Sequence, residues 1–294
     1  MPNTKPSRHF EKPHKSPAKS PRRGGPGAPK RFGHRANEED IIRIFGIHAV
    51  EAALANPARV IRRALMTENA ENRLQPHIVR LGLAVERASP QDLDRLLGAD
   101  TVHQGALLEC EPLPEPDLAD LVLGAEGDAA AHLGPALLLV LDQVTDPHNV
   151  GAVLRSAAVF GASGVVMTRR NSPPLSGALA KAASGALELV RVARIPNLSQ
   201  GLAVLEEMGV QRIGLDGAAT LDLEDAPGLA GPVALVLGAE GRGLRELTRT
   251  TCDVLCRIGT PGPLASLNVS NAAAVGLHIA ARARRRAGTS APQK

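Results

Sequence analysis

The chain has 294 residues, enough for two domains of ordinary size, with a formal net charge of +4 and three cysteines. Cys110, Cys252 and Cys256 form no C-x-x-C pair, which argues against a disulfide framework and a four-ligand zinc site and leaves buried, reduced thiols and no metal. No apolar run reaches the ~18 residues of a membrane span, and the first residues carry Pro and Lys where a secretory signal needs an apolar core, so a cytoplasmic location with no membrane partner is expected.

The charge is spread unevenly. Residues 1–35 hold ten Lys or Arg against one acid, Glu11, together with seven Pro and four Gly. A stretch so poor in large apolar side chains cannot offset the entropy of ordering, and residues 1–40 are expected to form a disordered basic tail. A flexible polycation gains affinity for a polyanion by counterion release, which favours a nucleic-acid partner; a solubilising tail is the alternative. Trp and Tyr are absent, and of four Phe only Phe45 and Phe160 lie beyond the tail. Stacking of bases on aromatic platforms is thereby excluded as the main mode of binding, which leaves Arg, His and backbone amides.

From Ile41 onward, apolar stretches at 48–54, 60–66, 74–83 and 93–97 point to a small α/β domain over 41–111. Pro112, Pro114 and Pro116 then remove backbone donors and bias their predecessors towards extended conformations, so 112–135 is read as a linker. Over 136–287, strand-length apolar runs at 136–141, 164–168, 187–195, 210–215, 233–237 and 254–258 are separated by helical windows such as 150–160 and 198–208. This alternation predicts a mostly parallel sheet covered by helices on both faces. Residues 288–294 are expected to be disordered. Ligands of such sheets sit beyond the C-terminal strand ends.

Three segments begin at those ends. The first, from Asp142 through Asp146-Pro147-His148-Asn149 to Gly151, leads into a helix on which Val150, Val153, Leu154 and Ala157 share a face while Arg155 points away from it. The second, Leu237-Gly238-Ala239-Glu240-Gly241-Arg242-Gly243, lacks the spacing of a dinucleotide fingerprint, which argues against a nucleotide-dependent oxidoreductase, but would let backbone approach a ligand. The third runs from Ile258 to Asn271 and crowds Ser266, Asn268, Ser270 and Asn271 around a helix start, with Ser266 as the candidate N-cap. Beyond it, Ala272, Ala273, Gly276 and Ala280 form a face of small side chains suited to close helix contact, within the domain or across a dimer.

Together these segments resemble the three motifs of the SpoU (TrmH) family of SPOUT RNA 2′-O-methyltransferases, D-x-V-x-D-P-x-N-x-G-x-x-x-R, L-G-x-E-G-x-G and S-L-N-V-S, over residues 138–281. Gly46-Ile47-His48-Ala49-Val50 and Val102-His103-Gln104-Gly105 resemble the small substrate-binding domain of the branch that methylates guanosine in ribosomal RNA. The resemblance implies a SPOUT-type α/β sheet with a C-terminal trefoil knot, a homodimer, and 23S ribosomal RNA as partner. It also implies S-adenosyl-L-methionine as cofactor, contacted by Gly238, Ile258 and Leu267, with methyl transfer carried by Asn149, Arg155, Glu240, Ser266 and Asn268. A guanidinium stays charged at any ordinary pH, so Arg155 is expected to stabilise developing negative charge rather than act as a base. Transfer RNA as substrate, or a non-catalytic RNA-binding or ribosome-assembly role on the same fold, are the alternatives. Two departures from the family pattern are Ile258-Gly259 in place of Ile-Pro and His278 within a stretch that usually carries Tyr.

Overall fold

The computed structural model describes Met1 and residues 41–124, 134–260, 262 and 267–289. The expectations for the basic tail at 2–40, for 290–294 and for Ser266 lie outside those residues, whereas 288 and 289, expected to be disordered, end the last helix, because its helical run continues past 287. Among the described residues no helix is long and apolar enough to cross a membrane.

The first half builds β1 (Ile42–Phe45), α1 (Ile47–Ala55), β2 (Ile61–Met66), α2 (Glu68–Leu81), β3 (Glu86–Arg87), α3 (Pro90–Leu97) and β4 (Ala106–Cys110). The strands form a mixed four-stranded sheet in the order β1-β4-β2-β3. Local chemistry sets the helix ends. Thr67 caps α2 by accepting from the Ala70 amide, and Ser89 with Asp92 closes a capping box on α3, which has Pro90 in its first turn.

Within the stretch expected to be a linker lies a short helix, α4 (Leu118–Leu123), held by a second capping box between Asp117 and Asp120. It buries Leu121 against Leu138 and Val140 of the larger sheet. The prolines mark only the extended entry to this helix, and Asp117-x-x-Asp120 is its start signal.

There follow β5 (Leu137–Asp142), α5 (Pro147–Phe160), β6 (Gly164–Thr168), α6 (Gly177–Ala183), β7 (Val192–Ile195), α7 (Leu198–Glu207), β8 (Gln211–Leu215), β9 (Leu221–Asp222), β10 (Val233–Gly238), α8 (Glu246–Thr251), β11 (Val254–Arg257) and α9 (Val269–Thr289). Their strands pair in parallel in the order β7-β6-β5-β10-β8-β11-β9. The unbroken apolar runs reflect burial on both faces. Leu137, Leu139 and Leu141 of β5 join the core under α5 and α9, whereas Leu138 and Val140 join the core under α7. Val233, Leu235 and Leu237 of β10 divide from Ala234 and Val236 in the same way.

Two elements differ from the sequence expectation. The run at 187–195 is a strand only over Val192–Ile195, because its front half folds as a 3-10 turn, Ala186–Glu188. The helix expected from 150 begins at Pro147, since Asp146 accepts the His148 amide and Pro147 occupies the first turn; Asn149 therefore sits inside the helix. The small-residue face of α9 is used within the chain. A Cβ on Gly276 would stand 3.2 Å from Leu235 of β10, and His278 meets the Phe160 ring of α5 edge-on at 5.9 Å.

The two sheets are joined by a buried ion pair. Arg59, just before β2, donates through Nη2 and Nε to the Glu188 carboxylate at 2.7 and 3.2 Å, and Asn56 adds a bond of 2.8 Å to the same group. Both charged side chains are almost fully buried, so Glu188→Ala would leave the guanidinium without its counter-charge. That variant should lose ~3 kcal/mol or more of stability in urea unfolding. Burial also pushes the Cys110 thiol up to about 12, so it stays protonated in the folded chain after the unfolded chain has ionised. A raised folded value stabilises below the unfolded one and is lost as pH rises between the two. Between about pH 9 and 11 the wild type should therefore lose ~1 kcal/mol per pH unit more than Cys110→Ala in the same unfolding assay.

Candidate active site

The site is assembled at the C-terminal ends of β5, β8, β10 and β11. After β10 the chain turns back on itself: Gly243 donates to the Ala239 carbonyl at 2.9 Å, and Gly241 and Gly243 take φ of 80° and 66°. The turn is so tight that a Cβ on Gly238 would lie 2.1 Å from the Gly243 carbonyl carbon. One wall of a cavity of about 630 Å³ is made by this turn, and the others come from Leu215–Ala218 numbered 215–218, from Ile258 and Thr260, and from Leu267–Val269 numbered 267–269. Gly238, Ile258, Leu267, Glu240 and Asn268, all singled out in the sequence, line this one cavity. Its volume lies in the usual range for small-molecule and cofactor sites, and its lining mixes aliphatic side chains with a few polar groups.

Asn268 organises the mouth. It is the N-cap of α9, the role the sequence gave to Ser266: its Oδ1 accepts from the Ser270 amide at 2.9 Å and from the Ser270 hydroxyl at 2.6 Å. That leaves Nδ2 to donate to Asn149 Oδ1 at 3.1 Å and to Glu240 Oε2 at 3.2 Å. Three of the candidate residues, spread over more than a hundred positions, thus form one hydrogen-bonded group. Arg155 is not part of it. It lies on the exposed face of α5, six residues on from Asn149 and so ~9 Å further along the helix axis, and pairs with no acid among the described residues. The glycine that departs from the family pattern, Gly259, sits beside Asp222, where a Cβ would come within 3.3 Å of the carboxylate.

Asp216, Arg245 and Arg249, which surround the cavity, had not been singled out by the sequence reading, and Asp142 had been noted only as the start of the first segment. Asp142, Asp216, Arg245 and Arg249 form ion pairs around the glycine turn, and Asp216 also lines the cavity. The available signal was an acid directly after each of two apolar strands. Arg249 is otherwise an ordinary helix arginine.

A parallel α/β sheet with a glycine-walled cavity over its C-terminal strand ends defines a small-ligand-binding protein of the doubly covered α/β class. Comparison with known proteins narrows this. Residues 136–278 match the model of the SpoU rRNA Methylase family, and residues 43–116 match that for RNA 2'-O ribose methyltransferase substrate binding. The 23S rRNA (guanosine-2'-O-)-methyltransferase RlmB of Vibrio cholerae is 42% identical over 249 residues, which span 82% of this chain and 96% of that protein. The protein of the same name from Xylella fastidiosa is 42% identical over 248 residues, covering 82% and 96%. Among solved structures, the SpoU methyltransferase AviRb from Streptomyces viridochromogenes in complex with AdoMet shares the fold, with a TM-score of 0.69, 22% identity, and coverage of 85% of this chain and 94% of that one. A putative RNA methyltransferase of the TrmH family from Porphyromonas gingivalis gives a TM-score of 0.65 at 25% identity, covering 84% and 91%. The chain belongs to the SpoU family of RNA methylases.

Because Gly238 packs against backbone rather than a flexible side chain, Gly238→Ala must open the turn that walls the cavity. Ligand affinity for the cavity, read by isothermal calorimetry with S-adenosyl-L-methionine, should fall by at least ~100-fold, the loss of about two good hydrogen bonds to ordered backbone.

Proposed function

We propose that the chain transfers a methyl group from S-adenosyl-L-methionine to the ribose 2′-hydroxyl of a guanosine in 23S ribosomal RNA, in the cytoplasm and as a homodimer. The observation that carries this reading is the Asn149–Asn268–Glu240 group at the mouth of the cavity lined by Gly238, Ile258 and Leu267. The substrate and the base follow from the names of relatives about 40% identical over most of both chains.

The cavity suits the cofactor. Its aliphatic wall, with Leu215, Leu237, Ile258 and Leu267, fits an adenine ring, and the acids Asp216 and Glu240 complement hydroxyl and cationic groups. When bound, the cofactor supplies an electrophilic methyl on a sulfonium. What the chain must supply is alignment of a weakly nucleophilic hydroxyl and stabilisation of the charge that develops on it. We assign the second task to Arg155, whose exposed guanidinium can grip an RNA phosphate while facing the developing alkoxide. Asn149, Glu240 and Asn268 hold the ribose side of the cavity, and Ser266, two residues before Asn268 in sequence, completes the set.

In this reading residues 41–111 present the RNA to a catalytic domain over 136–287, in keeping with the descriptions of the two family models. The trefoil knot is supported by chain order: β11 is placed outside β8, yet α9, the next element, packs against β10 and beside α5. The homodimer is supported by Val159 on α5 and Val275 on α9, apolar side chains left exposed on neighbouring helices.

The test is single-turnover transfer of a labelled methyl group to unmethylated 23S ribosomal RNA. The wild type should label the RNA, and Arg155→Ala should slow the step about 100-fold, the cost of removing a preorganised charge. A rate within about threefold of wild type would show that Arg155 has no such role.

A further inference from the structure

Two carboxylates close the C-terminal ends of the strands on either side of β10. Asp142 ends β5 and is wholly buried, and Asp216 follows β8 and is largely so. Each is held by an arginine from one short element. Arg245, the residue before α8, donates its backbone amide to Asp142 Oδ2 at 3.1 Å and its Nε to Oδ1 at 2.7 Å. Arg249, one turn on, pairs through Nη1 with Asp216 Oδ2, while Asp216 Oδ1 accepts the Ala218 amide at 2.8 Å. The Arg249 amide donates to the Arg245 carbonyl at 2.9 Å, so the two arginines sit at helical i,i+4 spacing and leave α8 on the same side.

The elements so tied are the cavity walls. Arg245 directly follows the turn 238–244, and Asp216 is itself in the wall formed by 215–218. A turn with three glycines in six residues has many accessible conformations when unrestrained, and only one of them walls the cavity. A ligand that binds a state populated only in part has its apparent affinity reduced by that fraction. We propose that Arg245 and Arg249 are positioning residues that act as a clip: by gripping Asp142 and Asp216 on both sides of β10, they hold the glycine turn and the 215–218 wall in the cofactor-binding arrangement. The inference rests on the methyl-transfer reading above. The clip acts on affinity for S-adenosyl-L-methionine and leaves the chemical step alone, because saturating cofactor itself selects the turn arrangement in which Glu240 meets Asn268.

The experiment measures calorimetric affinity for S-adenosyl-L-methionine, and the single-turnover rate at saturating cofactor, on the full chain as wild type, Arg245→Gln, Arg249→Gln, the double variant and Arg245→Lys. Backbone amides still donate to Asp142 and Asp216 when either guanidinium is replaced, and a glutamine amide can donate beside them, so the glutamine variants should fold, which thermal melting checks. Each glutamine variant is expected to bind the cofactor about tenfold more weakly, as the loss of a charge-assisted pair implies, with the saturated rate within about threefold of wild type. Arg245→Lys keeps the charge and should recover part of the affinity. Glutamine variants that bind within about twofold of wild type, or melt earlier with affinity unchanged, overturn the clip and leave the methyl-transfer reading intact. A saturated rate that falls as far as the affinity also overturns it. A folded wild type with no affinity for the cofactor would instead overturn the methyl-transfer reading, and the clip with it.

Discussion

One side-chain amide ties the site together. Asn268 uses its oxygen to cap α9 and its nitrogen to hold Asn149 and Glu240, so the start of the last helix, the first turn of α5 and the glycine turn after β10 share a single anchor. An Asn is suited to this because it carries an acceptor and a two-proton donor on one rigid plane. Asp could cap the helix equally well, but it would set a second carboxylate against Glu240 and offer Asn149 no donor. The amide's direction is set by its neighbours: the Ser270 amide can only donate, and the Glu240 carboxylate can only accept when ionised.

The parallel sheet makes that convergence possible. Its strands are apolar on both sides because helices cover both faces, so polar chemistry is pushed to the strand ends. At the C-terminal ends of β5, β8 and β10 that chemistry is acidic or glycine-rich, and charge pairing with α8 keeps the loops in register. The smaller mixed sheet is fixed to this frame through Arg59 and Glu188, a bidentate pair that is hard to separate because either charge alone would be stranded away from water.

Much of this was legible in the residues. The uninterrupted runs in β5, β6 and β10 gave both the strands and their double-sided burial, and the apolar stripe of α5 correctly sent Arg155 to the surface. Gly238, Glu240, Ile258, Leu267 and Asn268 were grouped through the resemblance of their segments to the family motifs, and they line one cavity. Other features depended on tertiary partners. The front of the 187–195 run is apolar enough for a strand, but Glu188 is drawn into the Arg59 pair and the backbone closes a 3-10 turn there. α9 begins at Val269, and Asn268, which caps it, is also held by Asn149 and Glu240, partners distant in sequence. Arg245 and Arg249 carry no local signal, because their partners Asp142 and Asp216 are distant in sequence and meet them only in the fold.

The central claim is that the cavity over β10 delivers a methyl group to a ribose at its mouth. Nucleoside mass spectrometry of 23S ribosomal RNA, after incubation with the purified chain and S-adenosyl-L-methionine, tests it most directly. The account requires 2′-O-methylguanosine to appear at one site. A methyl group on a base, or RNA that emerges unmodified from a folded, cofactor-bound protein, would contradict it.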